Sequence, residues 1–142
     1  MTRGTRRRRV APVVLAATAL LLVLDVVGAL VRQPLGFPYP SMAVVPPLVY
    51  LAVGLAGAWR ASFAVGVLAA IAVGLLDGTF GPLLAWLAGS GPVGQTITEP
   101  RIFAYGITVV TATAGAAGLI GAALGSWLER RRAFRGSGVV PQ

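Results

Sequence analysis

Residues 102–128 read IFAYGITVVTATAGAAGLIGAALGSWL, 27 positions without a charge. As a helix rising 1.5 Å per residue this stretch is about 40 Å long. The hydrocarbon core of a bilayer is about 30 Å thick and is crossed by about 20 mostly apolar residues. No polar stripe runs along it for water to wet, so the stretch reads as a membrane span that tilts or protrudes. Three more runs of the same kind precede it. Val10 to Val31 has Asp25 as its only charge, Met42 to Trp59 has none, and the run from Ala61 is uncharged to Leu76 and can continue past Asp77 toward Ala88. The expected spans are therefore 10–31, 42–59, 61–80 and 102–128. The runs are continuous rather than alternating, which excludes a membrane barrel and gives an all-α, four-helix transmembrane bundle.

The rest of the composition agrees. Of 142 residues, 56% are hydrophobic and 11% charged, and the mean hydropathy is +0.82. Soluble domains are about 25% charged, and four acids with twelve bases cannot coat a globule of this size. Cysteine and histidine are absent, which removes disulfides, thiol nucleophiles, Cys/His zinc sites and imidazole bases. All twelve bases are arginine and there is no lysine or asparagine, a bias that reads as GC-rich coding. No cofactor, metal or enzymatic activity is expected.

One helix from Met42 to Leu76 would carry Arg60 near its middle, at about 2.5–3.5 kcal/mol or more. A tight hairpin at Trp59–Ser62 avoids that cost. Ser41 is expected to cap the second helix, with Pro46 and Pro47 in its first turns, and Thr98 or Glu99 to cap the fourth, with Pro100 first. Residues 81–100 read as the last turns of the third helix followed by a loop, in preference to a re-entrant piece. Five arginines (Arg3, Arg6, Arg7, Arg8 and Arg9) precede the first span. Arg60 marks the middle turn, and Arg130, Arg131, Arg132 and Arg135 follow the last span. The opposite side receives Arg32 and Arg101. Basic segments stay in the cytoplasm, so residues 1–9 form an N-terminal anchor, 129–142 a cytoplasmic tail, and 10–128 the transmembrane domain of a multi-pass inner-membrane protein. A cleaved signal peptide over the first 31 residues is the rival reading, but its apolar core would be overlong.

Helices in lipid gain no hydrophobic reward from association, and small residues that admit close backbone approach become the packing device. Ser62, Gly66, Ala70, Gly74 and Gly78 recur every four residues on the third span. The fourth carries two rows, Thr113, Ala117, Gly121, Gly125 and Ala114, Gly118, Ala122, Ser126. The third and fourth helices are expected to be the tight pair, with Gly54 and Ala58 of the second a lesser contributor.

Asp25 and Asp77 are the only acids inside apolar runs, and an intramembrane carboxylate is a functional-site hypothesis by default. They lie 16 and 17 residues past Arg9 and Arg60, so both fall about 24–26 Å up helices that point the same way. They can share an outer cavity as a cation or proton site with Thr79. They can equally form interfacial salt bridges, Asp25 to Arg101 or Arg32 and Asp77 to Arg101, which water and headgroups at that depth favour. The arginine runs lack the interleaved aromatics of a nucleic-acid reader and serve as topology anchors on the lipid bilayer.

Tyr39-Pro40, Tyr50, Gly54, Arg60, Gly66, Gly74, and Asp77 with Thr79 and Gly81 resemble a pattern of small four-helix bacterial membrane proteins of unknown function. The resemblance covers roughly residues 39–91. Such proteins carry glycines after the middle-turn arginine where this chain has Ala61-Ser62. The resemblance implies the membrane fold and no activity. The leading expectation is a non-enzymatic protein that acts through helix contacts, with a second copy or a larger membrane protein as partner. The alternative is a small transporter or channel subunit in which Asp25 and Asp77 bind a cation or proton. Reporter domains fused at Ser90 and after Gln142 should report opposite sides of the membrane, and the same side for both would overturn the four-span topology.

Overall fold

The computed structural model describes residues 10–35, 44–87 and 99–136, and every regular element among them is an α-helix. They are α1 (Ala11–Leu35), α2 (Val45–Arg60), α3 (Phe63–Leu87) and α4 (Pro100–Gly136). Three of them, α1, α3 and α4, are long and apolar enough to cross a membrane. The 16 residues of α2 make about 24 Å. It starts after Val44, which makes no side-chain cap hydrogen bond, with prolines in its first turn where a missing N–H costs least. Ser41, the N-terminal arginines and residues 88–98, Thr98 among them, lie outside the described residues. Pro100 opens α4, and the Glu99 carbonyl accepts from the N–H groups of Ile102 and Phe103.

The turn between α2 and α3 needs no glycine. The N–H of Ala61 donates to the Gly57 carbonyl, and the Ser62 hydroxyl oxygen accepts from the N–H of Val65 at 3.3 Å, an N-cap for α3. Ser62 is thus a cap on the exposed turn and not the first member of a packing row. Beyond Asp77, α3 continues through Pro82 to Leu87.

The seams follow the glycines, with one reassignment. A Cβ on Gly54 would lie 2.9 Å from the Gly118 Cα, and one on Gly121 would strike the backbone of Leu51 and Leu55. Gly125 meets Leu55 and Ala58. The numbers rise together, so α2 and α4 run parallel, their backbones touching. Against α3 they fall: Gly118 meets Ala70, Gly74 meets Ala114, and Gly78 meets Val110 and Ile107, an antiparallel pair. Gly66 turns to Gly54 and Ala58, closing α2 onto α3. The second helix, expected to be the lesser contributor, is therefore as closely packed as the third. Of the expected rows, Ala117 is half-buried, while Thr113 is exposed and returns its hydroxyl to the Val109 carbonyl.

Helix α1 packs on α3 and, less, on α2. Its buried stripe is Val10, Val14, Ala17 and Leu21, spaced by four and three residues. All precede Asp25, and they share one core with Val65, Ala69, Ala70 and Val73, which precede Asp77. The two helices therefore run the same way. The start of α1, the Arg60 turn and the C-terminal half of α4 meet at one end of the bundle. There Arg60, Arg130 and Arg131 are exposed, and the Arg131 guanidinium lies 3.7 Å from the Trp127 ring centroid. The outer surface is apolar: Leu15, Leu68, Leu87 and Leu119 are exposed, as a hydrocarbon solvent permits.

Glycines on the seams and off them should respond with opposite sign. Gly54→Ala and Gly118→Ala should each lose about 1–3 kcal/mol through overpacking. Nothing lies within 4 Å of a Cβ on Gly106, so Gly106→Ala should gain up to about 1 kcal/mol from helix propensity. Unfolding of the detergent-solubilised protein measures both.

Candidate functional site

Three helices each deliver one polar side chain to the same point. Asp25 continues the buried stripe of α1, four residues beyond Leu21. Asp77 lies 11 residues, about three turns, past Gly66, on the face that Gly66 turns to α2. Tyr50 belongs to the stripe Tyr50, Val53, Gly54, Gly57, Ala58 of α2, all buried. A tyrosine in a helix leans toward the N-terminus, and from this position its ring reaches Asp77.

The Tyr50 hydroxyl donates to Asp77 Oδ2. The carboxyls of Asp25 and Asp77 are neighbours, both within 4 Å of the place a Cβ on Gly81 would take. Asp77 is 8% exposed and Tyr50 1%, while Asp25 is half-buried. Gly81, one turn past Asp77, is what lets Asp25 approach: a Cβ there would strike Asp25 Oδ2 and lie 3.8 Å from Asp77 Oδ1.

The cluster is rich in acceptors and poor in donors. Asp77 Oδ1 is buried without a hydrogen-bond partner. Pro82 has no N–H to give the Gly78 carbonyl, its partner four residues back. Against these, the Tyr50 O–H is the one donor the described side chains bring to Asp77. An ionised carboxylate only accepts, so two carboxyls facing each other are bonded only while one of them holds a proton. Two more buried hydroxyl oxygens, of Thr18 and Thr111, lack partners.

The sequence pointed to both acids but not to their company. Thr79 sits two residues from Asp77, about 200° around the helix, and its hydroxyl donates to the Leu75 carbonyl at 2.6 Å. It takes no part. Arg101 is exposed at the start of α4, six residues, or about 9 Å, before Ile107, which opposes Gly78. Among the described residues, the Arg101 salt bridge expected for Asp77 gives way to the hydrogen bond from Tyr50; the Arg32 side chain, the other partner expected for Asp25, lies outside the described residues. Asp77 is buried between helices. Tyr50 was missed, although its place on the small-residue stripe of α2 carried the signal: a tyrosine hydroxyl turned inward needs an acceptor.

No protein-family model matches the chain, and neither the curated proteins nor the solved structures contain a match. The site's meaning therefore rests on its chemistry. Tyr50→Phe strands a buried carboxylate oxygen and should destabilise the solubilised protein by about 1–3 kcal/mol. Thr79→Val, on an exposed back-bonded hydroxyl, should stay within about 0.5 kcal/mol. Equal effects in thermal unfolding would mean that the Tyr50–Asp77 bond contributes nothing.

Proposed function

We propose that this chain is a non-enzymatic, four-span inner-membrane protein with both termini in the cytoplasm, and that Asp25, Asp77 and Tyr50 bind and release a proton, as in a small proton-conducting or proton-coupled transport subunit. The observation that carries this reading is the meeting of two carboxyls inside the bundle with a tyrosine, and not an arginine, beside them. An intramembrane acid is costly unless paired, neutralised or hydrated. Here the neighbour is a second acid, and the lowest-cost arrangement is one proton held between the two.

Several features support the topology. Helix α2 is short, but a two-residue turn ties it to α3 and it lies along α4, so it travels beside helices long enough to cross. A short hydrophobic stretch is accommodated by local thinning of the bilayer or by its neighbours. The exposed arginines at the Arg60 end agree with a cytoplasmic face there. The small-residue rows that suggested an assembly role meet one another within the chain, so they no longer require a second molecule. A divalent metal is a poorer occupant than a proton. No group of three metal-ligating side chains occurs among the described residues, and hard cations take about six or more oxygens.

Two measurements test this. A lipid-soluble carbodiimide, which modifies protonated carboxyls in apolar surroundings, should label Asp25 or Asp77 in membranes, with labelling falling as pH rises and lost in the Asp25→Asn/Asp77→Asn double variant. Proteoliposomes under an imposed pH gradient should show proton flux that either single Asn variant abolishes. Absent labelling overturns proton binding, and wild-type liposomes as tight as empty ones overturn transport.

A further inference from the structure

We infer that the acid cluster is reached from one membrane face only, the face where α1 and α3 end and α2 and α4 begin, and that Leu21, Val53 and Val73 with the Tyr50 ring form the barrier toward the Arg60 face. This rests on the proton-binding reading and adds to it a direction and a gate.

The asymmetry is visible one helical turn to either side of the cluster. Toward the Arg60 end, the residues in register are Leu21, four before Asp25; Val73, four before Asp77; and Val53, three after Tyr50. Their exposures are 1%, 0% and 2%. With Tyr50 they are bulky, branched or aromatic side chains from all three contributing helices, and they are among the most completely enclosed residues in the protein. A layer of that kind leaves no gap for water. Toward the other end, the corresponding residues are Gly28, three after Asp25 and half-buried, and Gly81, four after Asp77 and buried against Asp25. Neither adds a bulky side chain to match the layer on the Arg60 side. From α2 that level receives Pro46 and Pro47, both only half-buried. Asp25, the half-buried member of the pair, is the one in contact with Gly81.

The charged and titratable groups around the cluster fit a one-sided path. From α4, which packs on α3, Arg101 and Tyr105 are exposed and lie toward the open end. Arg60 is beyond the barrier, 17 residues down α3's end of the hairpin from Asp77. Past the barrier the next polar atom on α1 is the Thr18 hydroxyl, one turn beyond Leu21, buried and without a partner. A buried hydroxyl in that condition is a place for water. The layer therefore separates the acids from a second polar station, which is the position of a gate between two half-paths.

The test uses the full chain in proteoliposomes of defined orientation and a membrane-impermeant, water-soluble carbodiimide applied to one face at a time, with modification of Asp25 and Asp77 read by mass spectrometry. The wild type should be modified several-fold faster from the face opposite the Arg60 turn. Thinning the layer with Val73→Ala, or independently Leu21→Ala, should raise the rate from the Arg60 face without changing the other. Equal wild-type rates from both faces, a faster rate from the Arg60 face, or no effect of either variant in protein that still labels with the lipid-soluble reagent would overturn the inference while leaving proton binding standing. Failure of the lipid-soluble reagent to label at all would remove the proton-binding reading itself.

Discussion

Hydrocarbon gives apolar helices no reason to prefer one another over lipid, so what orders this bundle is the distance to which backbones can approach. The contact of Gly54 with Gly118 sets that distance for α2 and α4, and Gly74 and Gly78 set it for α3 on α4. The polar site is downstream of these contacts. Tyr50 stands four residues from Gly54 on the same face, so seating Gly54 on α4 fixes where the tyrosine hydroxyl arrives. Asp77 adjoins Gly78, so the rotation of α3 that brings Gly78 onto α4 turns Asp77 toward α2. A larger residue at either glycine would spread the seam and separate donor from acceptor.

The layout was legible where a single physical constraint decides it. Continuous apolar runs between arginine clusters implied four helices, a hairpin at Arg60 and a common level for Asp25 and Asp77, because hydrocarbon allows few alternatives. Partner choice was less legible, since it depends on azimuth. Thr79 looked plausible beside Asp77 by proximity in sequence, yet 200° of helix rotation puts it on the far side. Reading Val10, Val14, Ala17, Leu21 and Asp25 as a single stripe would have shown that Asp25 faces the core rather than headgroups. The same reading of α2 would have found Tyr50. What no pattern contains is the distance between stripes on different helices, so the pairing of α2 with α4 had to come from three dimensions. The glycines of α2 were visible, but they were outnumbered by those of α3 and α4 in a chain with 19 glycines.

The choice of a second acid as neighbour is informative in itself. A buried arginine beside Asp77 would hold the carboxylate charged and make it a fixed structural pair, costly to break. A tyrosine and another carboxyl instead leave the charge state adjustable. Two carboxyls with one shared proton carry a single negative charge, and departure of that proton leaves two like charges facing each other in a medium of low dielectric. That adjustable charge is what separates such a pair from a fixed ion pair, and the proton-binding proposal rests on the difference.

Under that proposal, the residues flanking the acids set the direction from which a proton would reach them. Asp25 is followed at three residues by Gly28 and Asp77 at four by Gly81, while both are preceded at four by a bulky aliphatic, Leu21 and Val73. Two helices running the same way thus present the same pattern around their acids, small residues ahead and bulky ones behind. Because α1 and α3 are parallel, the two bulky residues fall at one level and the two glycines at the other instead of alternating. Antiparallel helices with the same local sequence would have set a leucine opposite a glycine at each level and produced neither. Parallel placement of α1 and α3 follows from the even number of chain reversals between them. In the proposed topology those reversals keep the arginines on one side of the membrane, and the proposed direction of access is connected through them to the placement of charge along the chain.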